Sequence, residues 1–167
     1  MPPDNSPSTN LESAITSFRA GASLAGSEDA LLLPYWRDED WRQLFGFASI
    51  RKVAAGDALI RKGEPGRTLY FVLRGKLEVF PHSGGGISMG PVATVRAGSV
   101  LGEQAFFDSG PRSASTWAVE ECEVAALAAD QFAAFEKDSP ALARDLLFAL
   151  GRILSIRLRK TTAKVKN

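Results

Sequence analysis

One short stretch of the sequence contains the residue types that could hold a charged small molecule. It begins at Gly102 and reads GEQAFFDSGPRSAS. Gly102 and Ala105 carry little or no side chain, so ligand atoms can approach the main chain there. We expect the segment from Glu103 to Phe107 to form a single helical turn, whose free N–H groups attract an anion. The basic residue Arg112 follows in the same loop.

The two functional groups at Glu103 and Arg112 suggest which anion this loop would bind. The planar guanidinium of Arg112 can hold a phosphate by two parallel hydrogen bonds. The Glu103 carboxylate is an acceptor suited to a sugar hydroxyl. Together they describe a phosphorylated ribose. The alternative is a Glu103–Arg112 salt bridge that only closes the loop, since such surface pairs contribute about 1 kcal/mol or less. Spacing alone does not decide between the two.

Short β-strands are expected to position this loop. Four segments have strand character and are separated by glycine turns: ASIRKVAAGDALIRKG, TLYFVLRGKLEVF, VATVRAGSVLG and SASTWAVEECEVAAL. The predicted turns lie at Gly56-Asp57, Gly63–Gly66, Arg74–Lys76 and Ser83–Gly86. Several short strands at this spacing favour a sandwich or barrel.

Helical patterns flank the β region. The segment from Leu11 to Phe18 predicts one or two weak turns, interrupted by Gly21 and Gly26. A firmer helix begins near Asp38, where acidic residues occupy the first turn. Its apolar residues share one face by i, i+3, i+4 spacing; they are Trp41, Leu44 and Phe45.

The end of the chain predicts two further helices. A short one follows Ala128 and stops near Ser139, because the residue before Pro140 disfavours the α region. A long helix then covers about residues 140–162 and carries an apolar stripe among arginines. We expect its beginning to cover the β core and its end to pair with another chain.

Length and composition predict one globular domain. The chain has 167 residues, and 20 Lys and Arg nearly balance 19 Asp and Glu, so no overall field points to nucleic acid or membrane. We expect residues 1–27 to be disordered or weakly helical and residues 28–167 to form the domain. The single cysteine, the lack of a signal-peptide pattern and the lack of a long apolar run predict a cytoplasmic protein.

Two long motifs resemble those of the cyclic nucleotide-binding domains. LGEQAFFDSGPRSAS is similar to that family's phosphate-binding cassette, and ALIRKGEPGRTLYFVLRGKLEVF is similar to the stretch upstream of it. The resemblance runs from about Leu44 to Lys160. It implies a mainly β fold, an eight-stranded β-roll of jelly-roll type with N-terminal helices and a long C-terminal helix.

The resemblance also implies roles for single residues. Arg112 would hold the exocyclic phosphate, and Glu103 would accept from the ribose 2′-hydroxyl. The implied ligand-binding set is Gly102, Glu103, Gln104, Ala105, Arg112, Ser113 and Ala114. A side chain of the last helix would cap the base, with Leu150, Ile153 and Arg157 as candidates. The alternative is that these three are core or dimer-seam residues.

The implied function is a regulatory sensor of cyclic AMP or cyclic GMP that signals by moving its C-terminal helix. Ser113 could bond a guanine, so both ligands are allowed, with cyclic AMP preferred. The partner would be a regulated protein in trans or a second copy of the chain. Direct DNA binding is not expected, because a helix-turn-helix would have to follow and the sequence ends at Asn167. The alternative is an interaction module of the same fold that no longer binds nucleotide.

Enzymatic and metal chemistry find little support in the sequence. No P-loop or Gly-x-Ser-x-Gly elbow occurs. The single histidine, His82, is too few for a cupin-like metal site, and we expect no metal or further cofactor. Cys122 is expected to be inert, because Glu121 and Glu123 beside it would raise the pKa of its thiol.

Overall fold

The computed structural model describes residues 7–24, 28–81 and 90–165 of the chain. The helices in these ranges are α1 Pro7–Leu24, α2 Asp38–Gly46, α3 Glu103–Asp108, α4 Ala129–Asp138 and α5 Pro140–Val165. The strands are β1 Ser49–Val53, β2 Ala58–Ile60, β3 Leu69–Arg74, β4 Lys76–Phe80, β5 Ala93–Arg96, β6 Val100–Leu101, β7 Ser115–Ala118 and β8 Cys122–Leu127. Strands therefore occupy the middle of the chain and helices its two ends.

The strands form two antiparallel sheets of four strands each. The first sheet has the order β1-β8-β3-β6 and the second the order β2-β7-β4-β5. Successive side chains of a strand point to opposite faces, and β3 uses both of them. Leu69, Phe71 and Leu73 pack in a core cluster with the helices, whereas Tyr70 and Val72 pack in a second cluster between the sheets. The predicted eight-stranded β-roll with flanking helices is confirmed.

The first helix is longer and more deeply packed than the sequence predicts. α1 has 18 residues, and Gly21 lies inside it; the expectation of one or two weak turns is wrong. Phe18 is fully buried in the cluster that also holds Phe71. A Cβ added at Gly21 would lie 2.5 Å from the Cβ of Ala97. Glycine therefore serves close packing against the turn between β5 and β6, and that packing outweighs its poor helix propensity.

Residues 1–6, Gly26, His82 and the predicted turn at Ser83–Gly86 lie outside the described residues. The domain boundary between residues 27 and 28 stays a prediction.

The remaining helix predictions are confirmed. α2 begins at Asp38 and buries Trp41, Leu44 and Phe45. α4 ends at Asp138, and α5 begins at Pro140 and continues to Val165, beyond the predicted end. In the ranges described above, no helix is long and apolar enough to cross a membrane.

Candidate functional site

The stretch that begins at Gly102 forms a short helix between two strands. β6 ends at Leu101, α3 follows directly, and β7 begins at Ser115. The helical turn predicted from Glu103 is confirmed. Gly102 has a φ of +87°, and a Cβ there would lie 2.6 Å from the Thr68 carbonyl oxygen. Glycine at this position allows the chain to turn from β6 into α3 beside the neighbouring backbone.

Arg112 is buried under this turn, and none of the carboxylates in the described ranges is paired with it. It is 7% exposed. Its Nη2 donates to the Thr68 carbonyl at 3.0 Å, and its Nη1 donates to the Gly102 carbonyl at 3.3 Å. The guanidinium carbon lies 5.8 Å from the centroid of the Tyr70 ring. In the described part of the chain its hydrogen-bond partners are neutral, so a buried positive charge remains to be balanced by an anion.

The backbone on either side of Arg112 is held in place as well. The Arg112 N–H donates to the Glu64 carbonyl at 3.0 Å, and the Arg112 carbonyl accepts from the Gly63 N–H at 2.8 Å. Both residues belong to the loop between β2 and β3. The same loop carries Arg67, whose guanidinium donates two hydrogen bonds to the Phe106 carbonyl in α3, at 3.2 and 2.9 Å. The β2–β3 loop thus holds both α3 and the backbone of Arg112 in place.

Glu103 is paired with α5 and not with Arg112. Its side chain is 6% exposed, and its Oε1 accepts from Arg157 Nη1 at 2.7 Å. The loop-closing Glu103–Arg112 salt bridge, which spacing left open, is therefore wrong. Arg112 nevertheless contacts the backbone next to Glu103, because it donates to the carbonyl of Gly102.

Arg157 makes two further contacts. Its Nε donates to Asp29 Oδ2 at 2.9 Å, and its Nη2 donates to the Val100 carbonyl at 2.9 Å. Burial acts to lower the pKa of Arg157, but the charges and hydrogen bonds of Glu103 and Asp29 outweigh it and raise that pKa. The guanidinium therefore stays charged and joins α5, β6, α3 and the segment before α2.

The other predicted ligand-binding residues lie in α3 and in the segment between Arg112 and β7, and they differ in how exposed they are. Ala105 is buried, whereas Gln104 and Ser113 are exposed and Ala114 is half-buried. Ala105 lies on the inner side of α3, beside Phe106 in the core. Exposed groups at residues 104 and 113 are accessible to a ligand.

The three candidates for a base lid are placed differently from one another. Leu150 and Ile153 are fully buried in the core cluster that joins α5 to the first sheet. Arg157 contacts the loop through Glu103. In this conformation Leu150 and Ile153 are core residues, which was the alternative interpretation. The lid role stays a prediction.

Sequence reasoning missed Asp29, Arg67 and Thr68 as residues of the site. Arg67 and Thr68 lie inside the upstream motif GEPGRTLYF, so that motif was a signal that could have led to them. Asp29 is separated from its partner Arg157 by 128 positions. No local pattern connects residues so far apart.

The pKa of the Cys122 thiol is raised, but for a reason that differs from the expected one. Burial is the main cause that raises the pKa of its thiol, and Glu120 adds a smaller effect. The raised pKa is confirmed, but the predicted cause, repulsion by Glu121 and Glu123, is wrong. The Sγ contacts the carbonyls of Lys76 at 3.3 Å and of Glu120 at 3.2 Å. A buried thiol with a raised pKa is a poor nucleophile.

Comparison with known proteins finds similar proteins that are named for cyclic AMP. The cyclic AMP receptor protein of Thermus thermophilus is 35% identical over 100 residues, which are 59% of this chain and 45% of that protein. A cAMP-dependent protein kinase regulatory subunit of Aspergillus fumigatus is 37% identical over 81 residues, 48% of this chain and 19% of that protein. The chain thus spans less than half the length of these relatives.

A solved structure shows the fold, and a family model shows the family. A cyclic nucleotide-binding domain from Methylobacillus flagellatus superposes with a TM-score of 0.76 at 24% identity, over 93% of this chain and 84% of that one, and so has the same fold. The family model for the cyclic nucleotide-binding domain matches residues 50–139. That range includes all of β1 except its first residue, every element from β2 to α4, and the whole stretch around Glu103 and Arg112. The chain belongs to the cyclic nucleotide-binding domain family.

Proposed function

We propose that this chain is a regulatory sensor that binds cyclic AMP, in preference to cyclic GMP, through residues 102–114 and signals through α5. The observation that carries this proposal is the buried guanidinium of Arg112, which has carbonyl partners and no paired carboxylate in the described ranges. A cyclic phosphate carries the single negative charge that this site lacks. The relatives named for cyclic AMP support the choice of ligand. We propose no metal, no further cofactor and no catalytic step.

The ribose would be held by Glu103. A carboxylate offers about four lone-pair sites on two oxygens, and Arg157 donates to one oxygen, Oε1. Acceptor capacity remains for the 2′-hydroxyl. Gly102 and Ala105 give the sugar and phosphate access to the main chain, and the first N–H groups of α3 have no partner within the helix. Gln104, Ser113 and Ala114 would contact the rest of the nucleotide.

The signal would pass through Arg157, because this side chain joins the ribose acceptor to α5. A ligand shifts a conformational equilibrium only by the difference between its affinities for the two states. A nucleotide that bonds Glu103 changes the free energy of the Arg157 contact and hence the position of α5. The chain has a single cysteine, Cys122, which is free and buried, and we propose a cytoplasmic location.

Hydrogen exchange of α5 tests the signalling step. We expect cyclic AMP to change the exchange rate of the amides in residues 153–165, because the Arg157 contact lies within this part of the helix. In the Arg112→Ala variant, the same concentration of cyclic AMP should leave these rates unchanged. Equal rates in the wild type with and without saturating nucleotide would contradict a signal through α5.

The partner we propose is a second copy of the chain, docked along α5. Three large apolar side chains stay exposed on this helix: Phe148 by 77%, Leu158 by 67% and Val165 by 82%. Together with Gly151, Ser155 and Thr162, which are also exposed, they follow the alternating spacing of three and four residues that is typical of a coiled-coil seam. Ser155, Leu158 and Thr162 also line a shallow groove on the helix surface. The chain would therefore dimerise through the outer face of α5.

Sedimentation equilibrium tests this dimer. We expect the wild type to be dimeric and Leu158→Glu to be monomeric, because the change places a charge in the middle of the seam. The matched control is Val119→Glu, at an exposed apolar residue between β7 and β8, which should stay dimeric. A monomeric wild type, or a dimer that Leu158→Glu leaves intact, would argue for a different partner.

A further inference from the structure

We propose that residues 28–31 form a strap that holds the C-terminal half of α5 against the nucleotide site, and that Asp29 is a positioning residue for the Arg157–Glu103 pair. This inference rests on the proposed function, because it concerns how tightly the same site binds a cyclic nucleotide.

The strap contacts α5 along two turns of the helix. Its Glu28 carbonyl accepts from Arg152 Nη2 at 3.0 Å, and the Ala30 carbonyl accepts from Arg152 Nη1 at 3.5 Å. Eight residues further along the helix, or about 12 Å, Lys160 Nζ lies 3.6 Å from Glu28 Oε2 and 4.0 Å from Asp29 Oδ1. These contacts hold the strap along one side of α5.

The other end of the strap is fixed to the β-roll close to the site. Leu31 is 1% exposed, and its N–H donates to the Gly98 carbonyl at 3.2 Å. A Cβ added at Gly98 would lie 2.2 Å from the backbone nitrogen of Ala22 in α1, so this turn is closely packed. The turn leads directly into β6 and then into Gly102. The strap therefore joins α5 to the backbone that precedes α3.

Asp29 is the strap residue whose side chain reaches the site. The Asp29–Arg157 pair at 2.9 Å is shielded, with the two side chains 22% and 23% exposed. The neighbouring Glu28–Lys160 pair is open to solvent, at 76% and 48%, and pairs of that kind contribute little. Arg157 uses Nε for Asp29 and Nη1 for Glu103. Since these atoms belong to one rigid guanidinium, the bond to Asp29 orients the donor that faces Glu103.

The orientation of the Arg157 guanidinium sets the fraction of protein molecules that are able to bind the nucleotide. Glu103 is buried, and a buried carboxylate without its cation is strongly disfavoured. Without Asp29, the Arg157 side chain regains rotamer freedom, and the arrangement in which Glu103 faces the ribose is less populated. The apparent dissociation constant rises in inverse proportion to that population. By reciprocity, bound nucleotide stabilises the contact between the strap and α5.

Calorimetric titration with cyclic AMP tests the role of Asp29. We expect Asp29→Asn to weaken binding by about tenfold and Glu28→Gln, the matched loss of a strap carboxylate, by less than about twofold. In an Arg157→Met background, Asp29→Asn should weaken binding no further, because its effect passes through Arg157. Equal affinities for Asp29→Asn and Glu28→Gln, or full additivity with Arg157→Met, would overturn the proposal.

Hydrogen exchange of the ligand-free protein separates this proposal from the proposed function. Asp29→Asn should speed exchange of residues 152–165, and Glu28→Gln should leave it close to the wild type. If the wild type binds neither cyclic nucleotide, the proposed function fails and the exchange result alone decides the strap: faster exchange in Asp29→Asn supports it. Unchanged exchange in that variant overturns it, whatever the titration gives.

Discussion

Replacement of Arg112 by alanine is expected to weaken cyclic AMP binding by about 100-fold or more. Two hydrogen bonds to a charged group contribute roughly 1.5–3 kcal/mol each, and each ~1.4 kcal/mol is a factor of ten in affinity. Arg112→Lys should give a smaller loss, of about tenfold, because it keeps the charge but not the planar pair of donors. Isothermal titration calorimetry measures both constants.

Arg61→Ala is the matched control for Arg112→Ala. The exposed Arg61 stacks over the ring of Trp117, 5.0 Å from its centroid, and we place it outside the nucleotide site. Its loss should leave the affinity unchanged. Circular dichroism establishes that each variant is folded before titration. An Arg112→Ala protein that is folded and binds cyclic AMP within threefold of the wild type would contradict the assigned role.

Replacement of Arg157 by methionine is expected to lower the free energy of unfolding by about 3 kcal/mol. Methionine keeps much of the length of the side chain but leaves Glu103, which is 5% exposed, without its cation. Addition of Glu103→Gln to this variant should restore part of the loss, since the buried charge is then removed as well. Urea denaturation at fixed protein concentration measures these values, because dimerisation would make stability concentration-dependent.

Arg152→Met is the control on the same helix. Arg152 is exposed and donates to the carbonyls of Glu28 and Ala30, so its loss leaves no buried carboxylate. We expect a cost of about 1 kcal/mol. Equal costs for Arg152→Met and Arg157→Met would mean that the Arg157–Glu103 pair is no more than a surface contact.

The β-roll was predictable because its signals are local. Glycines at positive φ, such as Gly56, Gly63 and Gly75, mark turns that single residues encode. The full length of α1 was not predictable, because glycine does not mark a turn at Gly21, which lies inside this helix. There glycine permits a close approach to Ala97 in the β5–β6 turn, and only the folded chain brings these two residues together.

The site, like the fold, was predictable only where its sequence signal is local. Glu103 and Arg112 belong to one loop, and their residue types indicate an anion and a hydroxyl. Their partners come from elsewhere. Glu103 pairs with Arg157, 54 positions away, and Arg112 donates to the Thr68 carbonyl, 44 positions away. The loop sequence fits an arrangement in which Glu103 and Arg112 form a salt bridge and one in which they do not. The packing of α5 decides between the two, because it brings Arg157 to Glu103.

Titration of the wild-type protein with cyclic AMP and cyclic GMP tests the central claim most directly. We expect saturable binding of cyclic AMP, tighter than that of cyclic GMP, and its loss in the Arg112→Ala protein. Bound ligand should also raise the melting temperature, by an amount that grows with the logarithm of the ligand concentration once this exceeds the dissociation constant. No heat of binding and no thermal shift with either nucleotide at millimolar concentration would contradict the sensor and leave an interaction module that acts through α5.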